Sequence, residues 1–156
     1  ASKDAATTVT ALDWPGVLKI ASAAAQQAGL QDRFTVLPGN YHDVPLRGAA
    51  YDLAIVANVA HIETREGNQK LFQRLYRALK LGGEIAVVDI MPGQGAGDLS
   101  RSLYALGLAL RTERGHVFSP EEIRVLLQGA SFAAPVFHAL PVPPFTMGLM
   151  LSRKDA

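Results

Sequence analysis

Along this chain, short unbroken apolar runs alternate with longer segments whose apolar residues recur every three or four positions. Val9 to Leu12 is a short apolar, β-branched run that ends in Asp13. Trp14-Pro15-Gly16 then forces a turn, so the run reads as a buried strand leading into a loop. Val17 to Ala28 is rich in alanine and other good helix formers, and Gly29 sits where a left-handed C-terminal residue belongs. Phe34 to Leu37, closed by Pro38-Gly39, is a second strand, and Tyr51 to Val59, almost wholly apolar after Asp52, is a third. Strands without polar alternation predict a parallel sheet covered on both faces.

Leu71, Phe72, Leu75, Tyr76 and Leu79 have the spacing of an amphipathic helix over 68–79. Gly82-Gly83 is expected to end it, and Glu84 to Ile90 to form the fourth strand, with Ile85, Ala86, Val87 and Val88 buried. Met91 to Asp98 reads as a loop. Leu99 to Leu110 is a strongly apolar helix, and Ser119-Pro120-Glu121-Glu122 is a capping box opening another helix through about Leu127, closed by Gly129. Val136 to Leu140 and Thr146 to Ser152 flank a turn at Pro141, Pro143 and Pro144 and are expected to pair antiparallel. The succession implies a Rossmann-like, doubly wound α/β fold: a mostly parallel sheet with a terminal antiparallel strand pair.

Composition narrows the function classes. The chain has 156 residues, 49% of them hydrophobic, enough for one domain with a real core. With 15 basic against 14 acidic residues there is no broad field to attract nucleic acid or an anionic membrane. Partners are therefore expected to be small molecules or proteins. The absence of cysteine excludes disulfides, thiolate catalysis and zinc-thiolate sites. No apolar run approaches the roughly 20 residues needed to span a bilayer, and the start has no signal-peptide pattern, so a soluble, cytoplasmic protein is expected.

Candidate chemistry begins with Asp13. An acidic side chain at the carboxyl end of a parallel strand faces the crevice where nucleotide-like ligands bind, and its two oxygens can accept both hydroxyls of a ribose. The alternative is a loop aspartate that caps the next helix. His42 and His138 have no ligand partners at helical or hairpin spacing, and Glu121-Glu122 is explained by the helix start, so no metal is assigned.

Ala11-Leu12-Asp13-Trp14-Pro15-Gly16-Val17, Leu37-Pro38-Gly39-Asn40-Tyr41, Tyr51-Asp52-Leu53, Asn58-Val59-Ala60-His61 and Leu79-Lys80-Leu81-Gly82-Gly83 resemble, in order and spacing, successive signatures of class I S-adenosylmethionine-dependent methyltransferases. The resemblance is to small-molecule O-methyltransferases of the caffeate and hydroxyneurosporene type. It implies S-adenosylmethionine as cofactor, with Asp13 on the ribose, Trp14 against the adenine, Asn40 accepting from the adenine amino group, Tyr41 bordering that pocket and Asn58 facing the methionine end. Asn40 stands where family members commonly have aspartate, and its amide oxygen can still accept that bond. His61 matches the histidine that plant-type relatives use as general base on a phenolic hydroxyl, although Ile62-Glu63 replaces the Asp-Trp that follows it there. Methyl transfer from a sulfonium is a direct displacement, which needs an aligned acceptor oxygen and a group of near-neutral pKa to take its proton. Arg114 and His116 lie where relatives close over the acceptor, and Leu81 replaces the proline common before the double glycine.

The resemblance also implies a first strand and glycine-rich loop upstream of Val9, which this chain lacks. On that reading residues 1–156 are the C-terminal portion of a single catalytic domain, preceded in the natural protein by a helical domain that dimerises, giving a homodimer. A competing reading is a non-catalytic fragment or regulatory partner that needs another chain to complete the sheet. A nicotinamide dehydrogenase is a third, disfavoured by the terminal strand pair and by Lys80-Leu81-Gly82-Gly83.

Overall fold

The computed structural model of the chain describes residues 1–91, 99–142 and 145–155. They form two compact units, Ala1–Pro45 and Leu46–Ala156. No helix among the described residues is long and apolar enough to cross a membrane.

In the first unit, β1 (Val9–Asp13) pairs in parallel with β2 (Phe34–Pro38), from Val9 opposite Phe34 to Asp13 opposite Pro38. The helix between them, α1 (Pro15–Gln27), starts two residues earlier than the alanine pattern suggested. Proline in the first turn lacks only an N–H that would have had no partner there. Leu18 and Ala25 form its buried positions. Gly29 takes φ 67° just past the end, as expected of a left-handed terminator.

The second unit holds a four-stranded sheet in the order β3-β4-β6-β5. Here β3 (Tyr51–Ala57) runs parallel to β4 (Leu79–Ile90), β6 (Phe145–Arg153) lies antiparallel beside β4, and β5 (Ala133–Val142) lies antiparallel outside β6. Three helices accompany the strands: α2 (Arg65–Ala78), α3 (Leu99–Arg111) and α4 (Pro120–Gly129). The core is built on β4, where Ile85 and Val87 are wholly buried, with Leu71 and Phe72 from α2 and Ile123 and Leu127 from α4.

Several sequence expectations shift. Helix α2 begins at Arg65 because Thr64 caps it, its hydroxyl accepting from the Gly67 N–H at 2.9 Å. It ends at Ala78, and Gly82-Gly83 lies inside β4 instead of terminating the helix. The pair marks an irregularity at which the register jumps from Tyr51 opposite Leu79 to Leu53 opposite Glu84. Gly82 has φ 76°, and a Cβ on Gly83 would come within 2.9 Å of the Lys80 carbonyl, so both positions favour glycine. Lys154 completes the corner: its ammonium donates to the carbonyls of Tyr76 and Leu79 at the end of α2. The terminal strands are longer than expected, and α4 runs on through Gly129.

The expectation of a parallel sheet covered on both faces is not met at β3. Leu53 and Ile55, which share one face by the alternation of a strand, are 48% and 65% exposed, while Val56 on the other face is buried. Helix α3 likewise leaves Leu99, Leu103, Leu106 and Leu110 exposed. The expected loop over 91–98 falls outside the described residues apart from Met91, as do Pro143 and Pro144 of the terminal turn.

Candidate active site

Strand β3 stops because Asn58 adopts φ 55°, a left-handed conformation that asparagine tolerates better than most residues. Its N–H still donates to the Val88 carbonyl at 2.9 Å, and its side chain is exposed. A single 3₁₀ turn, Ala60–Ile62, follows and directs His61 inward, to 8% exposure. Long-range bonds pin this turn. The Asn68 amide of α2 donates to the Ala60 carbonyl at 2.9 Å, the His61 N–H donates to Asp89 Oδ2 at 3.1 Å, and the His116 N–H donates to the His61 carbonyl at 2.8 Å.

Asp89 lies near the end of β4 and is 3% exposed. Its Oδ1 accepts from the Ile90 N–H at 2.7 Å and lies 2.7 Å from His61 Nδ1. An ionised carboxylate can only accept, so the arrangement places the imidazole proton on Nδ1 and leaves the lone pair on Nε2. The Tyr104 hydroxyl, from α3, lies 3.0 Å from Nε2, and the two rings meet edge to face with centroids 5.5 Å apart. Burial, and then the negative charge of Asp89, push the Tyr104 phenol above its ordinary range, against a smaller opposing pull from Arg111. It therefore keeps its proton at neutral pH and donates to Nε2. An Asp–His pair ordered in this way can accept a proton at Nε2, because the carboxylate stabilises the imidazolium that forms.

Of the residues proposed for substrate, Arg114 is exposed and His116 is tied to His61 only through backbone. The His116 ring stands edge-on to Phe118, and its Nε2 lies 3.6 Å from Glu122 Oε1. Glu122 completes the expected capping box with Ser119 and also receives Arg65 at 3.1 Å. Burial pushes its carboxyl up, but hydrogen bonds from the Ser119 N–H and hydroxyl, with His116 and Arg65, outweigh burial and hold it below the ordinary range.

In the first unit, Asp13 and Asn40 lie at the carboxyl ends of β1 and β2, bridged by the Gly39 N–H donating to the Asp13 carbonyl at 3.0 Å. Asp13 Oδ1 accepts from the Trp14 N–H at 2.7 Å. Trp14 is 57% exposed, so core packing does not account for it. Asn40 Oδ1 accepts from the His42 N–H at 2.9 Å, closing a local turn, and the Tyr41 and His42 rings stack at a tilt.

Sequence reasoning found His61 and missed its partners. Asp89 interrupts an apolar run, Ala86-Val87-Val88-Asp89-Ile90-Met91, and an acid inside a core strand is a signal in its own right because burying an unpaired charge is costly. Tyr104 carried no such signal, since a tyrosine in an apolar helix reads as packing.

The chain matches the O-methyltransferase domain family over residues 4–133. It is 36% identical over 121 residues to acetylserotonin O-methyltransferase of Bos taurus, covering 77% of this chain and 34% of that protein. Among solved structures, a family 2 O-methyltransferase from Planctomyces limnophilus in complex with apigenin is 29% identical with TM-score 0.80, covering 94% of this chain and 42% of that one. Human N-acetylserotonin methyltransferase in complex with S-adenosylmethionine is 26% identical with TM-score 0.77, covering 96% and 41% respectively. The chain thus spans about a third of the length of the bovine relative. With the match running through most of its residues, the chain belongs to the O-methyltransferase domain family.

Proposed function

We propose that this chain carries the base and part of the cofactor site of an S-adenosylmethionine-dependent O-methyltransferase acting on a hydroxyl of a small, aromatic or polyketide-like acceptor. The observation that carries this reading is the Asp89–His61 pair, which fixes the imidazole with Nε2 as proton acceptor. When bound, S-adenosylmethionine supplies an activated methyl group, which the acceptor oxygen takes by in-line displacement. His61 removes the acceptor's proton, and Asp89 holds the ring and balances the charge. The names of the similar proteins, with acetylserotonin, apigenin and S-adenosylmethionine among them, support this choice of acceptor class and cofactor.

The residues of the first unit fit an adenosine. Asp13 uses Oδ1 on one backbone N–H, and a carboxylate has about four acceptor positions, so both ribose hydroxyls can still be received. The Asn40 amide oxygen keeps a second lone pair for an adenine amino group, and the exposed Trp14 offers a ring face. Tyr41 stands beside them. The full-length protein is proposed to be a homodimer through an upstream helical domain, as the family resemblance implies.

The test is calorimetric titration with S-adenosylhomocysteine together with transfer of labelled methyl from S-adenosylmethionine to apigenin and to N-acetylserotonin. It is run on this chain and on a form extended upstream through a glycine-rich loop. Binding and labelled product are expected from the extended form at least. Neither binding nor product from either form would end the assignment.

A further inference from the structure

Exposure rises step by step along the Asp89–His61–Tyr104 line. Asp89 is 3% exposed and His61 8%, while Tyr104 is half-buried. Both ring nitrogens of His61 are engaged, Nδ1 by Asp89 at 2.7 Å and Nε2 by the Tyr104 hydroxyl at 3.0 Å. An acceptor oxygen therefore cannot bond Nε2 directly unless Tyr104 moves away. The Tyr104 oxygen can instead receive a hydrogen bond while it donates its own proton, because a phenol both donates and accepts.

We infer that Tyr104 is a catalytic proton relay: its hydroxyl contacts the acceptor and links it to the buried His61. This rests on the proposal that His61 is the base. When the acceptor O–H bond breaks, its electron pair stays on the acceptor oxygen as the nucleophile and its proton passes to Tyr104 Oη. The proton already on Tyr104 passes to His61 Nε2. The phenol is neutral before and after, and the positive charge resides on the imidazole facing Asp89. After turnover the proton returns to solvent by the same route. Packing of Tyr104 with Ile90, Leu108 and Val117 holds the phenol in place for this.

The test compares Tyr104→Phe and His61→Ala in the full-length enzyme, with apigenin and N-acetylserotonin as acceptors and side-chain nitrogen NMR of His61 as a readout that needs no turnover. The relay predicts that Tyr104→Phe lowers kcat by about 10²-fold or more, leaves the acceptor KM within a few-fold, and shifts the His61 Nε2 resonance to that of an imidazole nitrogen with no phenol donor. A lower KM with kcat retained would show that Tyr104 merely blocks the base and would overturn the relay. Unchanged constants, or an unchanged Nε2 resonance, would overturn it as well. If the relay alone is wrong, His61→Ala still loses turnover; if His61→Ala keeps it, the base assignment falls and the relay with it. Should Tyr104→Phe fail to fold, 3,5-difluorotyrosine at position 104 retains the hydroxyl and makes it more acidic. The relay then requires the alkaline limb of the pH–rate profile, where the phenol loses its proton, to move to lower pH, and an unmoved alkaline limb overturns it.

Discussion

Two regions carry candidate chemistry, and they are built in opposite ways. Around His61 the side-chain partners are remote in sequence: Asp89 lies 28 residues away and Tyr104 lies 43 away. Around Asp13 and Asn40 the side-chain bonds reach only to the next residue or the one after, at Trp14 and His42. His61, the proposed base, is therefore ordered by the tertiary fold, whereas the residues proposed to hold adenosine are ordered by their own turns. Damage at the first region should cost stability and chemistry together, and damage at the second should cost ligand affinity alone.

The largest effect is expected at Asp89. Replacing it with Asn removes the charge and turns one of its two acceptor oxygens into a donor, so the imidazole tautomer is no longer fixed, and kcat should fall by about 10²–10⁴-fold, measured under saturating cofactor and acceptor. Asp89→Ala should in addition lower unfolding stability by about 3–5 kcal/mol in urea titration, because buried donors at His61 and Ile90 lose their partner. Retained turnover in Asp89→Asn would break the comparison at its strong end. Asn68→Asp sets a carboxylate against the Ala60 carbonyl that the amide now serves, and should cost about 1–3 kcal/mol of stability, with turnover falling as the His61 turn loosens. Asp13→Ala is the counterpart in the other region. It should weaken S-adenosylhomocysteine binding by about 2 kcal/mol, roughly 30-fold, through lost ribose bonds. Its stability should change by no more than about 0.5 kcal/mol. A large stability loss would show that Asp13 is a structural cap.

The smallest effect concerns pH. The Glu122 carboxyl is held below its ordinary range in the folded chain, so the stability it contributes is fully present above the unfolded carboxylate value and is lost as pH falls through the lower folded value. Ser119→Ala should cost about 1 kcal/mol at neutral pH. The difference from wild type should shrink in denaturant titrations below about pH 4, as the capping carboxylate protonates.

What the sequence displayed follows the same division. Elements set by local chemistry were legible: Gly29 past the end of α1, the Ser119–Glu122 box, and the proline-flanked terminal strands. Gly82-Gly83 misled because a glycine pair after a helical pattern reads as a terminator, while here it lies at a register jump against β3, where a Cβ on Gly83 would crowd the carbonyls of Tyr51 and Asp52. His61 was visible through resemblance, but Asp89 and Tyr104 become its partners only when β4 and α3 pack beside it, and no spacing rule links positions so far apart. The exposure of Leu53 and Ile55 was hidden for a related reason, since a strand's apolar run does not tell what covers each face.

The central claim is that His61 is the base, and the rate of the chemical step in His61→Ala tests it most directly. Single-turnover methyl transfer to apigenin or N-acetylserotonin should be slower by about 10²-fold or more in the variant, while the affinity for S-adenosylhomocysteine stays unchanged. A variant that binds S-adenosylhomocysteine normally and transfers methyl at the wild-type rate would contradict the account.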